Sequence, residues 1–384
     1  MKKNYWILAA AAVVLAACSN DDTIAVNQGI EEANTINFSN TIVEGQTRAV
    51  GITSGSLLSF YVTANRGTDI YFGEAPVQFA KDDSTDPVSY RSETKYYWPS
   101  EGKLDFYAFA PATGTTITRT DSTHFSVTPA TTPATQEDFV YGVVRQQDKT
   151  TGGQGVALNF RHAMSNVIIQ LKNTASDLDV TVGNVAIGYI LPTGAFAPIF
   201  KTAAGSEVGF STNGTNISNV TSDNGYYIAP GAWAASGDRT SYTQAATTTS
   251  YTSATATTAL PADMILVPQT LVKAEGYSAA TAGSGFNGAC ITVQVKIQDK
   301  QGHYLAGTAS NFVTAMWPLA ATQWLPGHKY TYTLDLAGGG YFPTNQENTD
   351  ENLDPILKNA EIFFLTPTVD EWIAAPGIDV DNND

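Results

Sequence analysis

Apolar residues in this chain recur at every second position in short runs, and that period constrains the fold more than any other feature. In LLSFYVTAN (57–65) Leu58, Phe60 and Val62 share a face, and in MSNVIIQLKN (164–173) Val167, Ile169 and Leu171 do the same. ACITVQVKIQD (289–299) sets Ile291, Val293, Val295 and Ile297 on one side, with Cys290 at its start on the parity of Thr292, Gln294 and Lys296. Successive side chains of a strand point to opposite faces, so this alternation marks half-buried β-strands. Amphipathic arrays of helix formers are scarce. Aromatic residues make up 11% of the chain and Gly and Pro punctuate it throughout, which supplies strand formers and turn chemistry. The chain reads as all-β.

At 384 residues it is long enough for two domains on a prior of ~150 each. TKYYWPSEGKLDFYAFAP (94–111) reads as two strands joined through Pro99-Ser100-Glu101-Gly102, with Leu104, Phe106 and Ala108 opposite Asp105, Tyr107 and Phe109. HFSVTP (124–129), DFVYGVVRQQ (138–147), VALNF (156–160) and MSNVIIQLKN continue the pattern, enough for a sandwich of about seven strands. The polar stretch Asn173–Asp179 then separates an N-terminal β-sandwich over 49–173 from a second over 174–341, which includes DVTVGNVAIGYI (179–190), MILVPQTL (264–271) and HKYTYTLDL (328–336). A Thr, Ala and Ser tract at 234–262 lacks apolar periodicity and reads as a mobile surface loop. Residues 342–384 begin as a polar, acidic linker and turn apolar again at Ile362, Phe364, Val369, Trp372 and Ile373. That tail either folds back as a strand on the second domain or docks on another copy.

The N-terminus carries an address. Lys2 and Lys3, an apolar run from Tyr5 to Ala17 and small residues before Cys18 form a signal peptide over 1–17. The run is shorter than the ~20 apolar residues that span a bilayer. Leu15-Ala16-Ala17-Cys18 has the form of a lipobox, so Cys18 is the expected lipidated N-terminus, and a multiply acylated cysteine would tether the chain to a membrane. Residue 19 is Ser rather than Asp, and Asp21 and Asp22 follow, which points to the outer membrane or the cell surface. Further on, TINFSNTIV (35–43) has Ile36 and Phe38 alternating with polar neighbours as a strand would. It runs into the polar segment Glu44–Arg48, whose Arg48–Ala49 bond a trypsin-like protease could reach, although an arginine in a loop is usually solvated surface.

Charge and motif content exclude several classes. The balance is 20 Lys+Arg against 36 Asp+Glu, a formal −16, and loss of Lys2 and Lys3 with the signal leaves 18 against 36, or −18. So acidic a chain lacks the basic surface that nucleic-acid binding requires. With Cys18 acylated, Cys290 has no partner for a disulfide, and no adjacent histidine makes it a catalytic thiol; it reads as a small, partly covered residue. No GxSxG, CxxC, HExxH or phosphate-binding loop occurs. His124, His162, His303 and His328 lack ligand spacing and read as surface or capping residues, so no metal or cofactor is called for. Asp379, Asp381 and Asp384 lack the glycine and distal glutamate of a calcium loop. Tyr96, Tyr97 and Trp98 could stack on sugars but read as core.

Taken together, the lipobox at Cys18, TINFSNTIVEGQTRA, YYWPSEGKLDFYAFAP, LNFRHAMSNVIIQL, LVPQTL and WLPGHKYTYTLDL resemble, in this order, the fimbrillin (type V pilin) family of surface lipoproteins. The resemblance implies two tandem transthyretin-like β-sandwiches and a non-enzymatic structural subunit of a pilus supporting adhesion. It implies a lipoprotein precursor, anchored in the outer membrane until an Arg-specific surface protease cuts after Arg48 and removes residues 18–48. The strand lost would be that of Ile36, Phe38, Ile42 and Val43. A groove opened in this way is a template for strand addition. The apolar segment with Ile362, Phe364, Val369, Trp372 and Ile373, from the same or a related subunit, is the natural donor. The other class left open is an outer-membrane lipoprotein that binds a glycan or another adhesin ligand and never polymerises.

Overall fold

The computed structural model describes residues 34–43, 52, 56–111, 117–119, 121, 124–153, 155–196, 199–203, 206–209, 226–227, 233–244, 248–252, 255–260, 262–273, 288–342, 356–357 and 365–371. They are almost entirely strands and connections. The first half runs β1 (Phe38–Val43), β2 (Ser59–Arg66), β3 (Asp69–Asp82), β4 (Ser89–Arg91) and β5 (Leu104–Ala110). It continues through the short β6 (Ile117–Arg119) and β7 (Phe125–Val127) to β8 (Val140–Gln147) and β9 (Val156–His162).

Seven of these strands close a barrel in the order β1-β4-β3-β2-β5-β8-β9, with β1 antiparallel to β4 and parallel to β9. The alternation read from the sequence places Phe60 and Val62 of β2, Phe106 of β5, and Leu158 and Phe160 of β9 inside. Leu58, expected on the face of Phe60, lies just before β2 and is 68% exposed; Leu57 turns inward instead. TKYYW also differs from expectation. It forms no hairpin with β5, and its backbone bonds go to residues 34–36, because Tyr97 bridges Thr35 while Phe106 and Ala108 of β5 pair with β2 and β8.

The second core is built from two sheets around β10 (Ser165–Asn173) and β11 (Leu178–Ile190). β10 was expected in the first sandwich, but it runs parallel to the strand His328–Asp335, from Asn166 opposite Lys329 to Lys172 opposite Asp335. Its Val167, Ile169 and Leu171 face Val180, Val182 and Ile187 of β11 in one buried cluster. Residues 174–177 connect β10 and β11, which contribute to one buried cluster. Asn173 is buried there, and its side-chain amide donates to the carbonyls of Leu178 and Tyr251.

Strand Cys290–Asp299 continues the β11 sheet. The tract expected as a loop at 234–262 also forms strands: Thr240–Gln244 and Thr249–Tyr251 pair with β11, and Thr255–Ala259 with β10. Thr and Tyr are good strand formers, and an edge strand needs few inward residues; Tyr242 and Tyr251 supply them.

A third cluster joins the halves. The outer faces of β5 and β8 contribute Phe109, Tyr141 and Val143, which meet Phe125, Phe139, Met164, Ile265 and Val267. Phe196, from β12 (Thr193–Phe196), packs against Phe139 and Tyr141 at ring-centroid distances of 5.3 and 5.0 Å, and β12 pairs with β7 across the junction. The Ile265 N–H donates to the buried Gln136 side chain at 2.7 Å. β5 is consequently buried on both faces. Truncating Phe139 to Ala should remove a fully buried ring and cost about 3–5 kcal/mol. Urea denaturation followed in each half, with a tryptophan signal and a site-specific label, should show lower stability and unfolding of the halves at separate midpoints.

Candidate functional site

The sequence directs attention to the first strand, and the structure gives that strand a well-defined seat. The Trp98 N–H donates to the Asn34 carbonyl (3.0 Å), the Ile36 N–H to the Tyr96 carbonyl (2.7 Å) and the Val156 N–H to the Asn37 carbonyl (2.8 Å). Phe38 and Ser39 then lie opposite Tyr90 and Ser89 on one side and opposite Val156 and Ala157 on the other, and Ile42 and Val43 continue beside Asn159 and Phe160. Strand formation in this stretch follows from its alternation, and both of its edges are occupied.

Ile36 and Phe38 are fully buried. The Phe38 ring makes near-perpendicular contacts with Phe60 (5.4 Å), Phe79 (4.8 Å) and Phe106 (5.4 Å), the edge-to-face arrangement that aromatic quadrupoles favour. Trp98 and Tyr96 add to the same wall. Trp98 stands edge-on to Phe106 and Tyr96 stacks on Phe72, whereas Tyr97 is exposed with its carbonyl accepting from the Tyr71 hydroxyl. Gly155 sits at φ +106°, and a methyl group there would overlap the Ser39 side chain, so close seating of β1 depends on that glycine. For Ile42 and Val43 the backbone pairing alone is described.

The chain leaves the seat at Val43 beside Phe160 and is next described at Ile52, which packs against the same core. Its N–H donates to Asp138 Oδ2 at 3.0 Å, and His162 Nδ1 lies 2.7 Å from that oxygen, with both side chains fully buried. His162, expected at the surface, is thus an interior residue two positions beyond Phe160 on β9. This pair, 24 residues apart, matches no spacing motif, and no local signal marked it. The other histidines behave as expected: His124 and His303 cap loops through Asp121 and Asp299, and His328 bonds the Pro326 carbonyl. Cys18, Arg48, Ala49, Ile362, Phe364, Trp372 and Ile373 lie outside the described residues.

At the other end, Thr368–Glu371 pairs antiparallel with His328–Thr331 on the edge of the β10 sheet, and Leu365 exchanges backbone hydrogen bonds with Pro318 and Ala320. Val369 is 49% exposed in this pairing. Cys290, expected to be partly covered, is 7% exposed beneath Met316 and Tyr341, and burial pushes its thiol up to about 12. Among the described residues no three His, Cys, Asp or Glu side chains gather as a metal site would require.

These features define a two-core β-protein whose first barrel is closed by its N-terminal strand. A profile of the fimbrillin-like family matches residues 47–355, and the chain belongs to that family. No curated protein matches it in sequence. Similar solved structures include a candidate cell adhesion protein from Bacteroides uniformis, 16% identical, covering 88% of this chain and 98% of its own, with a TM-score of 0.43. A fimbrial protein from Bacteroides vulgatus is 12% identical over 88% of this chain and 99% of its own, with a TM-score of 0.47.

Two outcomes follow from the geometry. Gly155→Ala should cost about 1–3 kcal/mol through overlap with Ser39 added to the left-handed backbone strain, and it should destabilise a chain that begins at Ala49 less, since Ser39 is then absent; denaturant midpoints of the two chains check this. In a Cys18→Ser chain at pH 7–8, Cys290 should resist aromatic disulfide reagents until the protein is unfolded, as read by the absorbance of the released thiolate.

Proposed function

We propose that this protein is a structural subunit of a surface pilus, supporting adhesion without enzymatic activity, exported as a Cys18 lipoprotein, cut after Arg48 and polymerised by strand exchange. Its two cores are read as tandem transthyretin-like sandwiches. Membership in the fimbrillin-like family supports the pilus assignment.

One observation carries the exchange step: the strand that closes the first barrel is N-terminal to every other strand described, so one cut between Val43 and Ile52 detaches it. Loss of this strand would leave the apolar pockets of Ile36 and Phe38 flanked by the free edges of β4 and β9. Refilling the Ile36 and Phe38 pockets alone offers roughly 2–3 kcal/mol each before ordering costs. The donor is the segment bearing Ile362, Phe364, Val369, Trp372 and Ile373, from another copy or a related subunit, once its pairing with His328–Thr331 is released. The remaining partners are the Arg-specific surface protease and, before the cut, the outer membrane.

The second reading, an outer-membrane lipoprotein that binds a glycan or another adhesin ligand without polymerising, draws on the neighbouring exposed tyrosines Tyr71 and Tyr97. N-terminal sequencing of the surface protein should begin at Ala49, and unboiled denaturing gels should show a ladder that Arg48→Ala abolishes. A ladder from Arg48→Ala would sink the exchange model, and a surface monomer retaining residues 18–48 would favour the second reading.

A further inference from the structure

The outward face of β10 carries Asn166, Ile168, Gln170 and Lys172, opposite Lys329, Thr331, Thr333 and Asp335 of the parallel strand His328–Asp335. Two of these opposed pairs meet through their side chains: the Thr333 hydroxyl donates to Gln170 Oε1 at 3.4 Å, and Lys172 Nζ lies 3.7 Å from Asp335 Oδ2. Asn166 is set apart by its burial. It is 1% exposed, its Nδ2 donates to Asp263 Oδ2 at 3.3 Å, and its Oδ1 is buried with no hydrogen-bond partner. Native proteins seldom bury a carbonyl oxygen in this way, because it loses its water without gaining a donor. The residue opposed to this dry amide is an amine, Lys329, and the group bonded to it from the other side is a carboxyl. We propose that Lys329 and Asn166 join in an intramolecular isopeptide bond, formed by the folded chain itself, with Asp263 as the proton carrier.

The fold places the three groups on adjacent strands. Asp263 immediately precedes Met264–Leu266, which pairs with one edge of β10, and Lys329 lies on the strand that pairs with the other edge. Lys329 gives a proton to Asp263, and the resulting free amine attacks Asn166 Cγ. As the Nζ–Cγ bond forms, Asp263 hands that proton to Nδ2, the Cγ–Nδ2 bond breaks, and ammonia departs with the remaining extra proton of Nζ. One ammonium enters and one leaves, so no oxidant or other reactant is needed. Amides in water resist amines, but groups held side by side reach effective molarities on the order of 10⁵ M or more, and a reaction that runs once per molecule can be slow. Lys329 Nζ rests 3.8 Å from Asp370 Oδ2, in a pair whose side chains are 38% and 57% exposed, so little holds it away from Asn166. The bond would tie positions 163 residues apart, and a closure of that length restricts the unfolded chain strongly. In a surface fibre it would pass tension from β10 to the strand His328–Asp335 without loading the strands between them. Its formation does not depend on the pilus assignment.

The full chain, held folded at pH 7–8 until its mass is constant, should weigh one ammonia less than its sequence. Trypsin should then release residues 162–172 joined to residues 301–358, with no cut after Lys329, and fragment-ion spectra should place the link between Asn166 and Lys329. Lys329→Arg should keep the full mass, yield separate peptides and melt several degrees lower. In a pulse of cell-free synthesis the joined peptide should appear at least about tenfold more slowly in Asp263→Asn than in the unsubstituted chain. Appearance at an equal rate would overturn the role given to Asp263. Separate peptides 162–172 and 301–329 from the unsubstituted chain would overturn the proposal as a whole, and that result needs no variant to fold.

Discussion

One ring, Phe38, meets three others edge-on at the centre of the first core, and the integrity of the barrel depends on that junction. The strand that carries it is not the hairpin partner of either neighbour. β4 comes about 50 residues later in the chain and β9 almost 120 later, so β1 is held by side-chain burial and two rows of backbone bonds, with no short turn on either side. Closure that rests on long-range contacts can be undone by cutting one connection, and the strands left behind keep their own pairings with β3 and β8. Without β1, both β4 and β9 would present unpaired edges, which are templates for another strand.

The cluster between the halves gives that barrel a fixed base. Strands that bury one face normally leave the other to solvent, but β5 buries both: Phe106 points to the barrel interior and Phe109 to the ring cluster shared with Phe125, Phe139 and Phe196. The β7–β12 ladder and the bond from Ile265 to Gln136 tie the same region through the backbone. β5 and its neighbours are therefore restrained from outside the barrel, on contacts that β1 does not share. Loss of β1 would remove part of the lining of the first core without removing the support of its opposite wall.

Local period was legible in the sequence and pairing was not. Alternation marked β2, β5, β8, β9, β10, β11 and the strand Cys290–Asp299, because it records which face is buried. It does not record against which sheet, so Val167, Ile169 and Leu171 fitted either core until the parallel pairing with His328–Asp335 placed them in the second. The Thr-rich tract reads as a loop for the opposite reason: its two strands on β11 bury one tyrosine each, Tyr242 and Tyr251, too few to create a period. The burial of Ile36 and Phe38 was anticipated by their alternation. The Asp138–His162 pair was not, since it depends on β8 and β9 lying side by side, which brings Val140 opposite His162.

The two ends of the chain are held very differently, and this bears on the direction of the proposed exchange. In residues 34–43 the first positions bond to Tyr96 and Trp98, Phe38 and Ser39 pair on both edges, Ile42 and Val43 pair with β9, and Phe38 is fully buried. Thr368–Glu371 covers one edge with four paired residues, and its large apolar side chain, Val369, remains half in water. Half-burial of a valine is worth about 1 kcal/mol, against roughly 3 for full burial of a phenylalanine before its aromatic contacts are added. In the proposed exchange Thr368–Glu371 would give up one half-buried valine and its edge pairing, and the vacated seat would offer the fully enclosed pockets of Ile36 and Phe38. On the proposed mechanism the uncut chain would block exchange by keeping the better seat filled from within, so that the contacts that close the first barrel would also set when the subunit could join another.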